Sequence, residues 1–202
     1  MALKISVNGK HLSAPTGLSI FECSEKLGVH VPTSCNKNGK CKECIVEVNE
    51  GMDLLSGLCR EEEHLGGEFR LACRARLEAE SGSIRCHTMR RARMRIEDSG
   101  WTKPGNEALE PAVRRDGEWV LLDGEPLVRT PGPLHGIALD LGTTTVVLRL
   151  LDLESGEQVA STSFENPQRF GGSDVMARIQ YDSDHPGRLL QRTLLSYLRH
   201  CI

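Results

Sequence analysis

Aromatic residues are scarce in this chain, since only 4% of its 202 residues are Phe, Trp or Tyr. It also lacks any run of about 18 apolar residues, which a membrane-spanning helix would need. The N-terminus does not show the charged and then apolar layout of a secretory signal peptide. The net charge of −3 excludes the basic excess that is typical of nucleic-acid-binding proteins. These absences predict a cytoplasmic protein that binds neither membranes nor nucleic acids.

Cysteine, by contrast, is plentiful, and the grouping of the eight cysteines is the main chemical signal. Cys35, Cys41 and Cys44 lie within ten residues, and Cys73 follows in the segment Arg-Leu-Ala-Cys. In a reducing cytoplasm such a group indicates a metal site rather than disulfides. Five residues separate the first pair and two the second, which is close to the plant-type spacing that binds a [2Fe-2S] cluster. We therefore predict that these four cysteines are the ligands of a [2Fe-2S] cluster.

The spacing has a physical reason, because a two-iron core needs four thiolates that converge from a tight loop and a separate strand. The loop must adopt left-handed backbone positions, which Asn36, Asn38 and Gly39 tolerate. Backbone N–H donors in such a loop stabilise the reduced cluster and tune its potential. A structural zinc site with four thiolates is the alternative. Zinc sites usually show two C-x2-C pairs, whereas this sequence has one.

Two other positions bear on the ligand set. Cys59 is the rival of Cys73 for the fourth ligand, but Arg-Leu-Ala-Cys resembles the fourth-ligand segment of many [2Fe-2S] ferredoxins. Cys23 and Cys86 lie in a predicted helix and a predicted strand, so we expect both in the core.

Hydrophobic periodicity predicts an N-terminal domain over residues 1–88. Alternating residues and the turn Asn8-Gly9 indicate a hairpin, and an amphipathic helix follows over 18–27. Further strands are predicted at 44–48, 69–77 and 83–89, with a helical turn at 56–64. This order indicates a small mixed sheet that grips one helix, the β-grasp arrangement. Residues 89–134 are predicted to be a linker with at most one hairpin, around Trp119–Leu122 and Asp123-Gly124.

A second domain is predicted over residues 135–202. Its strands are expected at 137–141, 144–152 and 158–164, and its helices at 174–181 and from 186 onward. The chain would then stop with an open sheet and an uncovered apolar helix face. We therefore expect the sequence to be the front part of a longer protein, truncated within this domain.

The connection between the first two of these strands is a candidate phosphate-binding turn. Gly142 would allow close backbone approach, and the N–H groups and hydroxyls of Thr143, Thr144 and Thr145 could form an anion-binding nest. Asp140 could hold Mg²⁺ through water. A plain β-turn is the alternative, but with a strand on each side and a third after a hairpin the segment resembles the opening β-meander of the actin, sugar-kinase and heat-shock ATPase superfamily, a ribonuclease H-like fold.

The two ends of the chain together resemble a known family. The cysteine motif, Gly136-Ile-Ala-Leu-Asp-Leu-Gly-Thr-Thr-Thr, and Asn166-Pro-Gln-Arg-Phe-Gly-Gly-Ser-Asp-Val-Met-Ala-Arg-Ile are similar to the ATP-dependent reductive activators of corrinoid proteins. The resemblance implies an α+β protein with a ferredoxin domain and an actin-like ATPase domain. It also implies a cluster that accepts electrons from a low-potential donor and reduces the corrinoid protein of a methyltransferase system from cob(II) to cob(I), driven by ATP and Mg²⁺.

Two departures from the family limit this expectation. Many members of the family have a sizeable middle domain, while here only about 45 residues separate the two parts. The second phosphate segment and the adenosine-binding segment of the family do not occur in this sequence, and we expect them beyond residue 202. We therefore expect this chain to carry electrons without hydrolysing ATP by itself. Two alternatives stay open at this point, a simple electron carrier without ATP coupling and a structural zinc-binding protein.

Overall fold

The computed structural model describes residues 3–89 and 112–202. Two compact units account for these residues. The first contains the described residues up to 89 together with 143–145 and 164–202, and the second contains the remainder. The predicted boundaries after residues 88 and 134 are not tested by this division and stay predictions. The predicted linker can be followed only from residue 112 onward, since residues 90–111 lie outside the described part.

The N-terminal part of the first unit is a mixed five-stranded sheet with one helix, as the sequence predicts. Its strands are ordered β2-β1-β5-β3-β4, and β1 and β5 run parallel. The elements are β1 Leu3–Val7, β2 Lys10–Ser13, α1 Ile20–Lys26, β3 Ile45–Glu50, β4 Phe69–Leu71 and β5 Gly82–Thr88. Inward-facing side chains of β1, β3 and β5 are almost fully buried, which places the hydrophobic core between this sheet and α1.

A capping box fixes the start of α1. The backbone N–H of Glu22 donates to Ser19 Oγ at 3.2 Å, and the Ser19 N–H donates to the Glu22 carboxylate at 2.7 Å. These bonds satisfy N–H groups that a helix start leaves without partners. The helix buries Ile20, Phe21 and Cys23, so the expectation that Cys23 is a core residue is confirmed.

The last part of the chain is helical and belongs to the same compact unit. A 3₁₀ helix at Pro167–Gly171 precedes α2 (Val175–Asp184) and α3 (Leu189–Cys201). The sequence predicts an uncovered apolar face on the last helix, and this prediction is wrong for most of that face. Leu189, Leu190, Leu194 and Tyr197 are buried, because α3 packs against the 3₁₀ helix and the Phe164 ring. Leu195 keeps 42% of its surface exposed.

The second unit contains one antiparallel sheet and most of another. Strands β6 (Val113–Asp116), β7 (Trp119–Leu122) and β8 (Glu125–Arg129) form a meander. The prediction of at most one hairpin in the linker is therefore wrong, because Gly117 supplies a second left-handed turn position between β6 and β7. Strands β9 (His135–Leu141), β10 (Thr145–Asp152) and β11 (Gln158–Glu165) form the other sheet, in the predicted order.

A buried ion pair holds the β3-β4 side of the N-terminal sheet. The Glu62 side chain is fully buried and the Arg70 side chain is 2% exposed. Arg70 Nε donates to Glu62 at 2.9 Å, and the Leu71 backbone N–H donates to the same carboxylate at 2.8 Å. Burial raises the pKa of Glu62, but these hydrogen bonds outweigh it and lower the pKa below its usual value. The carboxylate therefore fixes the segment that leads into Cys73.

Among residues 3–89 and 112–202, no helix is both long and apolar enough to span a membrane.

Replacement of Glu62 by Ala should lower the free energy of unfolding by about 3–5 kcal/mol, because Arg70 would stay buried without its partner. Urea unfolding at pH 7 measures this loss. The matched control is Glu50→Ala, whose ion pair with Arg85 is more than half exposed on both sides and should contribute less than about 1 kcal/mol. Equal losses for the two variants would contradict a dominant role for the buried pair.

Candidate iron-sulfur site

The pairing of β3 with β4 brings Cys44 and Cys73 together. Ile45 lies opposite Leu71 in the antiparallel register, and the Ala72 N–H donates to the Cys44 carbonyl at 2.8 Å. The sulfur atoms of Cys44 and Cys73 are 3.4 Å apart and buried. A residue just before one strand and a residue just after its partner therefore form the first thiol pair.

Cys35 and Cys41 form a second pair within the segment 35–44, which we call the cysteine loop. Hydrogen bonding by the Cys41 thiol and the Cys41 backbone N–H lowers the pKa of Cys35, and the Asn38 N–H donates to the Cys35 carbonyl at 3.4 Å. Cys41 is buried and Cys35 is partly exposed. Only two residues separate Cys41 from Cys44, so the two pairs lie close to each other.

Left-handed backbone positions shape the cysteine loop, as the sequence predicts. Asn36 has φ 52° and Gly39 has φ 81°, as expected, and Lys37 and Lys42 also have positive φ. Asn38 does not adopt this conformation. Its side chain instead accepts a hydrogen bond from the Lys40 N–H at 3.0 Å, the Asx-turn geometry that short amides favour.

Arg74 ties the cysteine loop to the segment after β4. Its Nη2 atom donates to the Asn38 carbonyl at 2.7 Å and to the Glu61 carboxylate at 2.9 Å. A Cβ atom on Gly39 would lie 2.6 Å from Arg74 Nε, so a side chain at this position would displace the guanidinium. The sequence analysis missed Arg74, although an arginine directly after a candidate ligand is a usable signal.

The four thiols differ in how easily they lose a proton. Burial raises the pKa of Cys35, but hydrogen bonds from Cys41 and Asn38 outweigh it and lower the value to about 7. The pKa of Cys73 is lowered because the Cys44 thiol donates to it, and the pKa of Cys44 is raised by the same bond and by burial. One thiol in each pair is therefore ready to become a thiolate, the form that binds metal.

The arrangement of the thiols fits a two-iron core. A [2Fe-2S] cluster takes four cysteine ligands, two for each of its irons, whereas a zinc ion takes its four ligands around one point. The four thiols form two adjacent pairs, with the Cys44 and Cys73 sulfurs 3.4 Å apart.

Cys59, the rival for the fourth ligand position, has a different environment. Its thiol donates to the Glu62 carboxylate at 3.4 Å. Burial and the neighbouring carboxylates of Glu61 and Glu62 raise its pKa to about 11. The structure thus places Cys59 beside negative charge, which disfavours the thiolate form that a ligand needs.

The candidate phosphate turn lies between β9 and β10. Asp140 is in β9, opposite Val147 of β10, and residues 142–144 make the turn. The Thr143 carbonyl accepts a hydrogen bond from Arg178 at 2.7 Å, and the Thr144 carbonyl accepts one from the Asn166 N–H at 2.7 Å. Both bonds are accepted by backbone carbonyl groups and do not involve the threonine hydroxyls.

Arg178 is a second residue without a role in the sequence analysis. Its side chain also donates to the Gly172 carbonyl at 3.0 Å, and burial lowers its pKa. The sequence does contain a signal for Arg178, because it is a charged residue in the otherwise apolar start of a predicted helix, within the segment Asn166 to Ile179. Arg178 joins the threonine turn to the start of α2.

Comparisons with known proteins agree with the geometry. Residues 5–78 match the family described as the 2Fe-2S iron-sulfur cluster binding domain, and residues 135–202 match the RACo middle region. One chain therefore joins a segment similar to the 2Fe-2S cluster binding domain to a segment similar to the RACo middle region. The combination makes it similar to the reductive activators of corrinoid proteins, and the resemblance predicted from the motifs is confirmed.

Two individual proteins align with parts of this chain. The corrinoid activation enzyme RamQ of Eubacterium limosum is 39% identical over 69 residues, which are 34% of this chain and 12% of that protein. The structure of a reductive activator for a corrinoid, iron-sulfur protein aligns with a TM-score of 0.40 and 20% identity, covering 96% of this chain and 42% of the other. The chain thus spans less than half the length of either relative.

In the reduced, metal-free chain, iodoacetamide should alkylate Cys35 at least about tenfold faster than Cys59 at pH 7, because only the thiolate reacts. The Cys35 rate should rise as the pH passes through about 7 and level off above it. Peptide mass spectrometry after timed quenching measures both rates. In urea the two thiols should react alike; a faster Cys59 in the folded chain would refute the assigned environments.

Proposed function

We propose that Cys35, Cys41, Cys44 and Cys73 hold the [2Fe-2S] cluster of this domain. The observation that carries the proposal is that the four thiols form two adjacent pairs, with the Cys44 and Cys73 sulfurs 3.4 Å apart. The four cysteines lie in the segment that matches the 2Fe-2S cluster binding domain. Two thiolates for each iron is what a two-iron core needs. The cluster, when bound, supplies one-electron chemistry. The protein contributes the backbone N–H donors and the buried surroundings that set the potential.

The chain then passes single electrons to a corrinoid protein. The four cysteines would hold the cluster, which when bound would supply the one-electron chemistry for converting cob(II) to cob(I) with an electron from a low-potential donor. Support comes from the joining of the cluster domain to a RACo middle region in one chain. The name of the similar protein from Eubacterium limosum, a corrinoid activation enzyme, points to the same partner.

The coupling to ATP is a separate part of the proposal. Asp140, Gly142 and the three threonines that follow would bind phosphate and Mg²⁺ between β9 and β10. Support comes from the sequence of the turn and from its tight geometry, which Arg178 and Asn166 hold through the Thr143 and Thr144 carbonyls. A turn fixed by its carbonyls presents its N–H groups and hydroxyls in one conformation, which suits an anion-binding nest.

The ligand set is tested by anaerobic reconstitution with iron and sulfide. Cys41→Ala should lose the visible absorption of the cluster and its acid-labile sulfide, since no spare thiol lies in the cysteine loop. Cys59→Ala is the matched control and should keep both. Loss of the cluster in the Cys59 variant, or its retention in the Cys41 variant, would show that the ligand assignment is wrong.

Electron delivery is tested with the chain in its reconstituted form and a corrinoid protein of a methyltransferase system held as cob(II). With a low-potential donor, the cob(I) absorption should appear only when the cluster is present. The reaction is repeated with MgATP and with Asp140→Asn. If cob(I) never forms, the electron-transfer proposal fails. If it forms at one rate with and without MgATP, a simple electron carrier is the better description.

A further inference from the structure

We infer that Arg192, far from the cysteine loop in sequence, is a positioning residue that holds the loop and raises the reduction potential of its cluster. This inference rests on the proposed function, since it takes Cys41 and Cys44 as ligands. The residue lies on α3, in the region matched by the RACo middle region, and its contacts cross to the cysteine loop within one compact unit.

The contacts of Arg192 reach both ends of the cysteine loop. Its Nη2 atom donates to the Cys41 carbonyl and lies 3.1 Å from the Glu43 carboxylate. Glu43 in turn accepts a hydrogen bond from Ser34 Oγ at 3.0 Å. Ser34 precedes the first candidate ligand and Glu43 precedes the third, so the guanidinium and its partner connect the loop at its start and at its end.

The bond to the Cys41 carbonyl falls where the backbone is strained. Lys42, the next residue, has φ 59°, a left-handed conformation that is unfavourable for a side chain with a Cβ. Such positions persist where surrounding bonds hold them. A charged donor on the preceding carbonyl fixes the orientation of the peptide between Cys41 and Lys42, and with it the path of the loop toward Cys44.

The position of Arg192 does not depend on its own side chain. Helix α3 is anchored by Leu190, Leu194 and Tyr197, which are buried. Near its end, the His200 ring stacks on His30 with centroids 4.0 Å apart and planes at 2°. The helix should therefore stay in place when residue 192 is changed, so that a substitution reports on the local contact.

The charge of Arg192 predicts the direction of the effect. Reduction adds one negative charge to the cluster, and a nearby positive charge stabilises that state. The negative charge of Glu43, whose side chain is 10% exposed, disfavours the reduced cluster. The ion pair with Arg192 offsets this effect. Removing the guanidinium takes away the positive charge and leaves the buried carboxylate without this partner. Both changes favour the oxidised state and lower the potential.

Arg192→Gln should shift the potential of the reconstituted chain to more negative values, measured by redox titration followed by visible absorption and electron paramagnetic resonance. At a fixed solution potential the ratio of reduced to oxidised cluster should fall about three- to tenfold, tenfold being about 59 mV for one electron. Arg199→Gln, an exposed arginine of the same helix, is the control and should shift it far less. Arg192→Lys, which keeps the charge, should have a reduction potential close to that of the wild-type chain.

Two further measurements distinguish the proposed role of Arg192 from a purely structural one. In the metal-free chain, hydrogen exchange of the cysteine loop should quicken in Arg192→Gln and stay unchanged in Arg199→Gln. Glu43→Gln should move the potential upward, and this test applies even if Arg192→Gln cannot hold a cluster. Equal potentials in Arg192→Gln and Arg199→Gln, or no rise in Glu43→Gln, would overturn the inference. A wild-type chain that never holds a cluster would instead overturn the proposed function.

Discussion

The site depends on one backbone register, the pairing of β3 with β4. Ile45 opposite Leu71 places Cys44 beside Cys73, and a slip of this register would move the two sulfurs apart. The register has a second support, because the buried Glu62 carboxylate accepts the Leu71 N–H and two donors of Arg70. A charged pair in the core thereby positions a thiol on the edge of that core.

The cysteine loop itself is not held by its own sequence alone. Four of its residues have positive φ and three of these, Asn36, Lys37 and Lys42, are not glycine, so the loop carries conformational strain. Arg74 offsets this strain on the Asn38 carbonyl and Arg192 on the Cys41 carbonyl. The loop is therefore shaped by three separate parts of the chain, and its sulfur environment reflects all of them.

Elements with strong local signals were predicted close to their observed bounds. The Asn8-Gly9 turn and the amphipathic spacing of α1 both act within a few residues, and such signals survive in the folded chain. Asp116-Gly117 is the same type of turn signal as Asp123-Gly124, and a prediction from the second alone gives one hairpin where the structure has the meander of β6 to β8. The burial of the apolar face of α3 is not predicted from the sequence, because it depends on which distant residues pack against the helix.

The sequence by itself determined the kind of chemistry, since the number, spacing and residue type of the cysteines restrict what they can bind. It also determined the local elements that carry those cysteines. Only the tertiary structure decided that the thiols form two pairs, that Cys59 faces carboxylates, and that Arg74, Arg178 and Arg192 reach the carbonyls of distant turns. Long arginine side chains reach carbonyl groups that are distant in sequence, so the spacing of residues along the chain does not predict these contacts.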